Sequence, residues 1–280
     1  MDHRYQKICI EKNPFFTIHH GKGMYYSDCN TQALHYDTDL TITYFKHCTG
    51  TIKIEGKCYN IKDGDAVIMN TGAIHCCTID NGTYHERISV FINENFFKNF
   101  PFDCTSLFDC FQKRTAGSNN LITVNGIDNL FSEILIFAKE NNKVLCMCKI
   151  TELIWKLNNF VSFSNKAIVT ENNSLTDNIL LYINEHFTEN LSCNKIAEHF
   201  FLSKFRLEHI FKETVGVSLW DYIILRRLIY CNELLKQNHT VKSASQLSGF
   251  NNYSNFYRLY KKHLNMTPME YKNSLKNNII

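Results

Sequence analysis

The sequence predicts an α+β chain: a β-sandwich or barrel first, a helical hairpin after it, and an all-α domain at the end. Three observations predict it. Residues 24–91 run in short apolar or alternating segments separated by turn signals, the apolar period changes to 3–4 residues near residue 120, and net positive charge collects in the last eighty residues.

The strands come first. Leu40-Thr41-Ile42-Thr43-Tyr44-Phe45, Thr51-Ile52-Lys53-Ile54, Ala66-Val67-Ile68-Met69 and Ile88-Ser89-Val90-Phe91-Ile92 are rich in β-branched and aromatic side chains, which suit a pleated surface. Between them stand Thr49-Gly50, Glu55-Gly56-Lys57, Asp63-Gly64-Asp65, Asn70-Thr71-Gly72 and Asp80-Asn81-Gly82, the residue types of tight turns. Many short strands at such regular spacing point to a sandwich or barrel. Next, Ile127, Leu130, Phe131, Ile134, Leu135 and Ala138, then Ile150, Leu153, Ile154, Leu157 and Val161, fall at helical intervals on either side of Glu140-Asn141-Asn142-Lys143, an α-hairpin. Its apolar stripe, including Ile134 and Leu153, is expected to form a twofold dimer interface within residues 121–161, because a barrel covers only part of such a pair. Residues 162–174 lose apolar periodicity and gain Asn, Ser and Thr. A linker is therefore expected at residues 164–174, between a first domain of residues 1–163 and a second domain of residues 175–280.

The 280 residues are 44% apolar and 20% charged with three prolines, which excludes a disordered, collagenous or low-complexity protein and leaves length for one or two domains. The best apolar run, residues 144–157, is broken by Lys149, Glu152 and Lys156, short of the ~20 residues a membrane span needs, so no membrane partner is expected. Met1-Asp2-His3-Arg4 lacks the apolar core of a secretory signal. A cytoplasmic location is expected, with the twelve cysteines as reduced, mostly structural thiols. No pair has the Cys-x2-Cys spacing of structural zinc. With no nucleophile elbow, phosphate loop or His-Glu-x-x-His helix, neither catalysis nor a cofactor is expected. Charge separates the halves: 16 Lys and Arg face 17 Asp and Glu over residues 1–165, but 12 face 5, a balance of +7, over residues 201–280. That asymmetry suits a chain of which one half meets a polyanion.

From Leu175 the sequence is helical and weakly repeats itself. Ile196-Ala197 leads through Leu202-Ser203 to Ile210-Phe211-Lys212; some 48 residues on, Val241 and Ala244 lead through Gly249-Phe250 to Tyr260-Lys261-Lys262. Each unit is a short helix, a tight turn and a second helix, which is helix-turn-helix geometry used twice. Ser192 and Ser218 can cap helices, and Thr267-Pro268-Met269-Glu270 reads as a capping box with proline at the first helical position. Gly216 and Gly249 stand where helices end.

Ile196-Ala197, Leu202-Ser203, Phe211-Lys212, Gly216-Val217-Ser218, Leu225-Arg226-Arg227, Gly249-Phe250, Phe256-Tyr257-Arg258, Tyr260-Lys261-Lys262 and Thr267-Pro268 together resemble the DNA-binding domain of the AraC/XylS regulators, with that family's spacing. Ser245 stands where the family prefers alanine, and Asn265 where it usually has glycine. The resemblance implies double-stranded DNA and RNA polymerase as partners, and a homodimer. It places Phe205, Glu208 and His209 of one helix, and Tyr253, Ser254, Tyr257 and Arg258 of another, toward bases, and counts Ser203 and Asn252 among the DNA contacts. Phe205 either packs on a thymine methyl or belongs to the core, Glu208 can accept from a cytosine amine, and Arg258 serves either a guanine or a phosphate. Lys204, Lys212, Lys261 and Lys262 suit phosphates. A helix over residues 219–237 would hold the two units for successive major grooves, ~34 Å apart.

The front half resembles, more weakly, the cupin-like sensor domain of such regulators. Gly64, Asp65, Gly72 and His75 are similar to the second cupin motif, with Asn70 at its proline position; the first motif is reduced to His35, Asp37 and Thr41. His35, Asp37 and His75 would supply three metal ligands at most, so a cavity for a small effector, contacted by His35, Tyr44 and His75, is expected in place of a metal. The whole chain is then expected to be a sequence-specific regulator, an activator switched by that effector. Two alternatives use the same residues: a metal-dependent cupin enzyme with an appended DNA-binding module, and a regulator gated by thiol redox or a partner protein.

Overall fold

The structure, a computed structural model, describes residues 4–26, 35–93, 95–98, 100, 104–112, 120–123, 125–164 and 175–277. The chain divides into two compact units, Met1–Glu171 and Asn172–Ile280. Most of the expected linker, residues 165–174, lies outside the described residues.

The first unit is built from β1 (Gln6–Lys12), β2 (Phe16–Tyr25), β3 (His35–Tyr36), β4 (Leu40–His47), β5 (Gly50–Ile54), β6 (Lys57–Ile61), β7 (Asp65–Met69), β8 (Ile74–Ile79), β9 (Thr83–Ile92) and β10 (Leu121–Thr123). They form two antiparallel sheets, one in the order β1-β2-β9-β4-β7-β10 and one in the order β3-β8-β5-β6. Phe45, Val67 and Met69 of the larger sheet pack on Ile52, Ile54, Ile61, Cys77 and Ile79 of the smaller, closing the barrel interior. The central strands of the larger sheet are covered on both faces: β4 is buried from Leu40 to Phe45 and β7 throughout. Leu40, Ile42 and Tyr44 point outward to helices while Thr41, Thr43 and Phe45 point inward, as the two-residue period of a strand requires.

Two short helices, α1 (Asn95–Lys98) and α2 (Asp109–Gln112), precede the hairpin of α3 (Ile127–Lys139) and α4 (Lys143–Ser164). Here one expectation is corrected. Ile127, Leu130, Phe131, Ile134, Leu135 and Ala138 of α3, and Ile150, Leu153, Ile154 and Leu157 of α4, are all buried in one cluster with the outer face of the six-stranded sheet. The stripe predicted to join two subunits is consumed by the chain's own barrel. What α3 and α4 leave exposed is a different set: Ile136, Val144, Leu145 and Trp155.

The second unit is helical: α5 (Leu175–His186), α6 (Cys193–His199), α7 (Lys204–Val215), α8 (Leu219–Lys236), α9 (Val241–Leu247), α10 (Tyr253–Leu264) and α11 (Pro268–Asn277). Ser192, Ser203, Ser218, Thr240 and Asn252 each accept a hydrogen bond from the backbone N–H three residues on, satisfying a donor that the helix cannot. Thr267 and Glu270 close a reciprocal box, with Glu270 N–H donating to Thr267 Oγ1 at 3.1 Å and Thr267 N–H donating to Glu270 Oε2 at 2.6 Å. Gly249 has a φ of +86°, and a Cβ there would meet the Thr188 carbonyl oxygen at 2.6 Å, so this turn accepts no side chain. Asn265 replaces the family's glycine at a φ of 54°, a region asparagine tolerates better than other side-chain-bearing residues.

Helix α8 is the spine. Its Tyr222 ring meets Phe211 of α7 at 5.6 Å, and Leu228, Cys231, Leu234 and Leu235 pack on Val241, Ala244, Phe256 and Tyr260. Buried Arg227 donates through Nε to the Phe187 carbonyl at 2.7 Å and through Nη2 to the Glu189 carbonyl at 2.8 Å, with the Trp220 and Phe250 rings 5.6 and 5.8 Å from its guanidinium carbon. Replacing it orphans the Phe187 carbonyl, leaves the Glu189 carbonyl with only the Leu191 N–H, and opens a void, so Arg227→Ala is expected to destabilise this unit by about 3 kcal/mol or more. Urea unfolding followed at Trp220 in a Trp155→Phe background measures this; a midpoint within error of the parent would show that Arg227 is no staple.

Candidate DNA-binding surface and barrel cavity

Helix α7 presents two faces. Leu207, Phe211 and Val215 are buried, while Lys204, Phe205, Glu208, His209 and Lys212 are exposed, as four-residue spacing along a helix dictates. Phe205 is 78% exposed, which removes the core alternative for it. Ser203 is committed as the cap, accepting from Arg206 N–H at 3.2 Å. Lys204 lies 4.0 Å from Glu208, and His209 lies 3.3 Å from Glu213. Sequence reasoning missed two exposed neighbours. One is Arg206; the other is Phe201, 96% exposed in the turn before α7 at a φ of 55°.

Helix α10 repeats the design with a different charge. Phe256, Leu259 and Tyr260 are buried, the Tyr260 hydroxyl donating to Asn232 Oδ1 at 2.6 Å. Tyr253, Ser254, Tyr257, Arg258, Lys261 and Lys262 are exposed on the other face. Asn252 caps the helix by accepting from Asn255 N–H at 2.8 Å, and Asn255 Oδ1 in turn accepts from Arg258 Nη2 at 2.9 Å. The guanidinium is thus steered by its own helix. No acid interrupts α10, whereas Glu208 and Glu213 offset the cations of α7. A positive face of this kind suits a phosphate-bearing partner.

In the first unit, Lys7, His35, Asp37, Thr41, Thr43, Phe45, Ile52, Met69, His75, Cys77, Arg87, Ser89 and Phe91 line a cavity of about 40 Å³ between the sheets. Pairing of β3 with β8 sets His35 opposite His75, their ring centroids 4.3 Å apart. His75 Nδ1 lies 2.9 Å from the Ala73 carbonyl, which fixes that nitrogen as the donor and leaves Nε2 facing Asp37 Oδ2 at 3.7 Å. Thr41 Oγ1 donates to the same Asp37 oxygen at 3.1 Å. Burial first, then the neighbouring His35, holds the His75 ring well below the usual imidazole range.

Tyr44 is not there. It lies one residue out of phase with Thr43 and Phe45, and its ring stacks on Phe131 of α3 at 5.0 Å, so the expected contact with an effector beside His75 is corrected to a role in the outer core. The signal for what replaces it was in β9. Outward Ile88, Val90 and Ile92 alternate with inward His85, Arg87, Ser89 and Phe91, and a charge at an inward position of an alternating strand marks a lumen that is not simply core.

His35, Asp37 and His75 bring one ligand atom each within 4.8 Å of one another, close enough for one ion. The cavity around them does not suit a cation. One carboxylate and two imidazoles share the space with the Lys7 ammonium and the Arg87 guanidinium, which repel a metal. The cysteines divide by burial: Cys77 and Cys146 are pushed up to about 11 and Cys231 to about 12 by desolvation, which keeps them protonated and inert. Cys9, Cys58 and Cys148 are exposed free thiols.

Two capped helix-turn-helix units on one spine define a DNA-binding protein of the helix-turn-helix class. A family model described as a helix-turn-helix domain matches residues 196–274. The chain is 31% identical over 85 residues to the probable transcription factor PqrA of Proteus vulgaris, covering 30% of this chain and 70% of that one. It is 30% identical over 113 residues to the transcriptional activator AarP of Providencia stuartii, covering 40% of this chain and 83% of that one. The crystal structure of ToxT from Vibrio cholerae O395 is similar over 97% of this chain and 98% of its own, with a TM-score of 0.42 and 15% identity. The chain belongs to the AraC family of transcriptional regulators. No helix among the described residues is long and apolar enough to cross a membrane.

Proposed function

We propose that the protein is a cytoplasmic, dimeric transcription activator that reads double-stranded DNA through α7 and α10 and changes its affinity when a small effector fills the barrel cavity. Residues 1–163 serve as sensor and dimerisation domain, residues 175–280 bind DNA, and residues 164–174 connect them. RNA polymerase is the second partner, engaged once the protein is seated beside a promoter. With Ile134 and Leu153 buried, the dimer contact is assigned to the outer face of the hairpin, where Ile136, Val144 and Trp155 stay exposed.

The observation that carries this proposal is the pair of capped helices whose outward faces hold no core residue. Side chains free of packing duty, on helices fixed by caps and a shared spine, are what groove reading requires. Selection of bound duplexes from a random pool by the full chain is expected to enrich one motif, with affinity falling steeply as salt rises. Arg258→Ala is expected to cost about 1–3 kcal/mol and relax preference at one position, whereas Lys261→Ala weakens all sequences alike and lowers the salt slope by about one. Uniform weakening by Arg258→Ala would make that residue a phosphate contact; a pool with no enriched motif would remove sequence-specific reading.

A further inference from the structure

The barrel cavity is short of one negative charge. Arg87 projects into it from β9 with only 9% of its surface exposed, and its Nε has no hydrogen-bond partner. Among the described residues no carboxylate pairs with it; its guanidinium carbon lies 5.8 Å from the centroid of the Tyr5 ring. A guanidinium carries its charge throughout the physiological range, so it cannot escape burial by losing a proton. A buried charge without a counter-ion costs several kcal/mol, and natural folds seldom keep one without a use. Lys7 adds a second cation to the same wall from the exposed edge strand β1, its ammonium 5.6 Å from the Phe91 ring centroid. Among the described residues Asp37 is the one carboxylate on the lining, and it is already committed to Thr41 and His75.

Shape narrows the ligand further. Phe45, Ile52, Met69 and Phe91 add apolar surface to the lining beside its polar groups. A volume of about 40 Å³ compares with the ~10–15 Å³ that one water requires, so there is room inside for a few heavy atoms. A guanidinium presents its donors as a planar fork that matches a carboxylate. We propose that the barrel cavity binds a small organic monocarboxylate of roughly two to four carbons, its head gripped by Arg87 with Lys7 at the mouth and its body against Phe45, Met69 and Phe91. A neutral polyol would leave the guanidinium unpaired, and a metal ion would meet two cations.

The link to transcription rests on the effector reading above; the binding site itself does not. Titration of the full chain with acetate, propionate and butyrate, each beside its neutral primary amide at fixed ionic strength, tests the site by calorimetry and by melting temperature. At least one acid is expected to bind and raise the melting temperature, and its amide to bind about tenfold or more weakly. Arg87→Met is expected to lose that binding while the ligand-free protein melts no lower than the parent, since the variant removes an unpaired buried charge. Lys7→Met, on an exposed strand, is expected to weaken binding without affecting the fold. Equal binding of acid and amide, no binding of any acid, binding undiminished in Arg87→Met, or a ligand-free Arg87→Met that melts well below the parent would each overturn the proposal. Acid-selective binding that leaves DNA affinity unchanged would uphold the anion site and sink the sensor reading instead, so the two fail separately.

Discussion

Ile134→Glu or Leu153→Glu is expected to unfold the first unit rather than release a folded monomer. Both side chains are fully buried, in the cluster that joins α3 and α4 to the outer face of the six-stranded sheet. A glutamate there must either bury its charge, or take up a proton and still leave polar atoms without partners, losing the packing of a large aliphatic group either way. The combined cost, about 4–5 kcal/mol or more, is comparable with the whole stability of a domain. Limited proteolysis should cut the variant throughout residues 4–164 while residues 175–277 stay protected. Trp155→Glu is the contrasting case: its side chain is 60% exposed, so the variant should fold and, if the outer face joins the dimer, sediment as a monomer. A folded, monomeric Ile134→Glu would restore the buried stripe as the interface.

The error over that stripe shows what periodicity can and cannot say. Ile127 to Ala138 at 3–4-residue spacing correctly marks a helix with one apolar face, but the pattern carries no information about which surface covers that face. The strands before residue 24 were missed for a related reason. β1 is mostly exposed along its length, and β2 interrupts its alternation with His19-His20-Gly21-Lys22-Gly23, so neither shows the apolar run that betrayed β4, β7 and β9. At Gly21 a Cβ would press on the Tyr5 ring and hydroxyl, so a side chain fits there only if Tyr5 moves aside. The helical unit was far more legible. Its boundaries are written in local chemistry, at Ser192, Ser218, Thr267-Pro268 and Gly216, and each acts where the sequence placed it.

The two sites differed in legibility in the same way. Exposure of Lys204, Arg258 and Lys261 follows from which helix positions the core claims, and those positions are visible in the spacing, whereas spacing left Phe205 open between core and surface. The cavity depends on strand phase. Tyr44 and Thr43 are adjacent in sequence yet face opposite sides of the sheet, and only the register of β4 against β7 and β9 decides which one meets His75. Lys7 and Arg87, eighty positions apart, meet the same space because β1 and β9 flank β2.

Acid should weaken the first unit by protonating its unfolded form. His85 is 1% exposed, its two ring nitrogens have no hydrogen-bond partner, and its neighbours are the Tyr5 and Phe45 rings and the Arg87 charge. Burial, reinforced by Arg87, lowers its pKa to about 4. The unfolded chain binds this proton near pH 6.5 and the folded chain only near 4, so the unfolded state holds more protons in between. The stability His85 contributes is therefore complete above about pH 6.5, erodes as pH falls and is gone below about 4, a change on the order of 3 kcal/mol. His75, buried and flanked by His35, Asp37 and Arg87, and His19, lowered to about 4 by burial and then by Lys7 and Arg87, shift in the same direction and add to the loss. Thermal melts of the full chain between pH 7.5 and 4.5, followed at Trp155 in a Trp220→Phe background, measure it. His85→Phe keeps an aromatic ring between Tyr5 and Phe45 and removes the titrating group, so its melting temperature should fall less steeply over that range; an unchanged slope would show that some other group sets the acid limit.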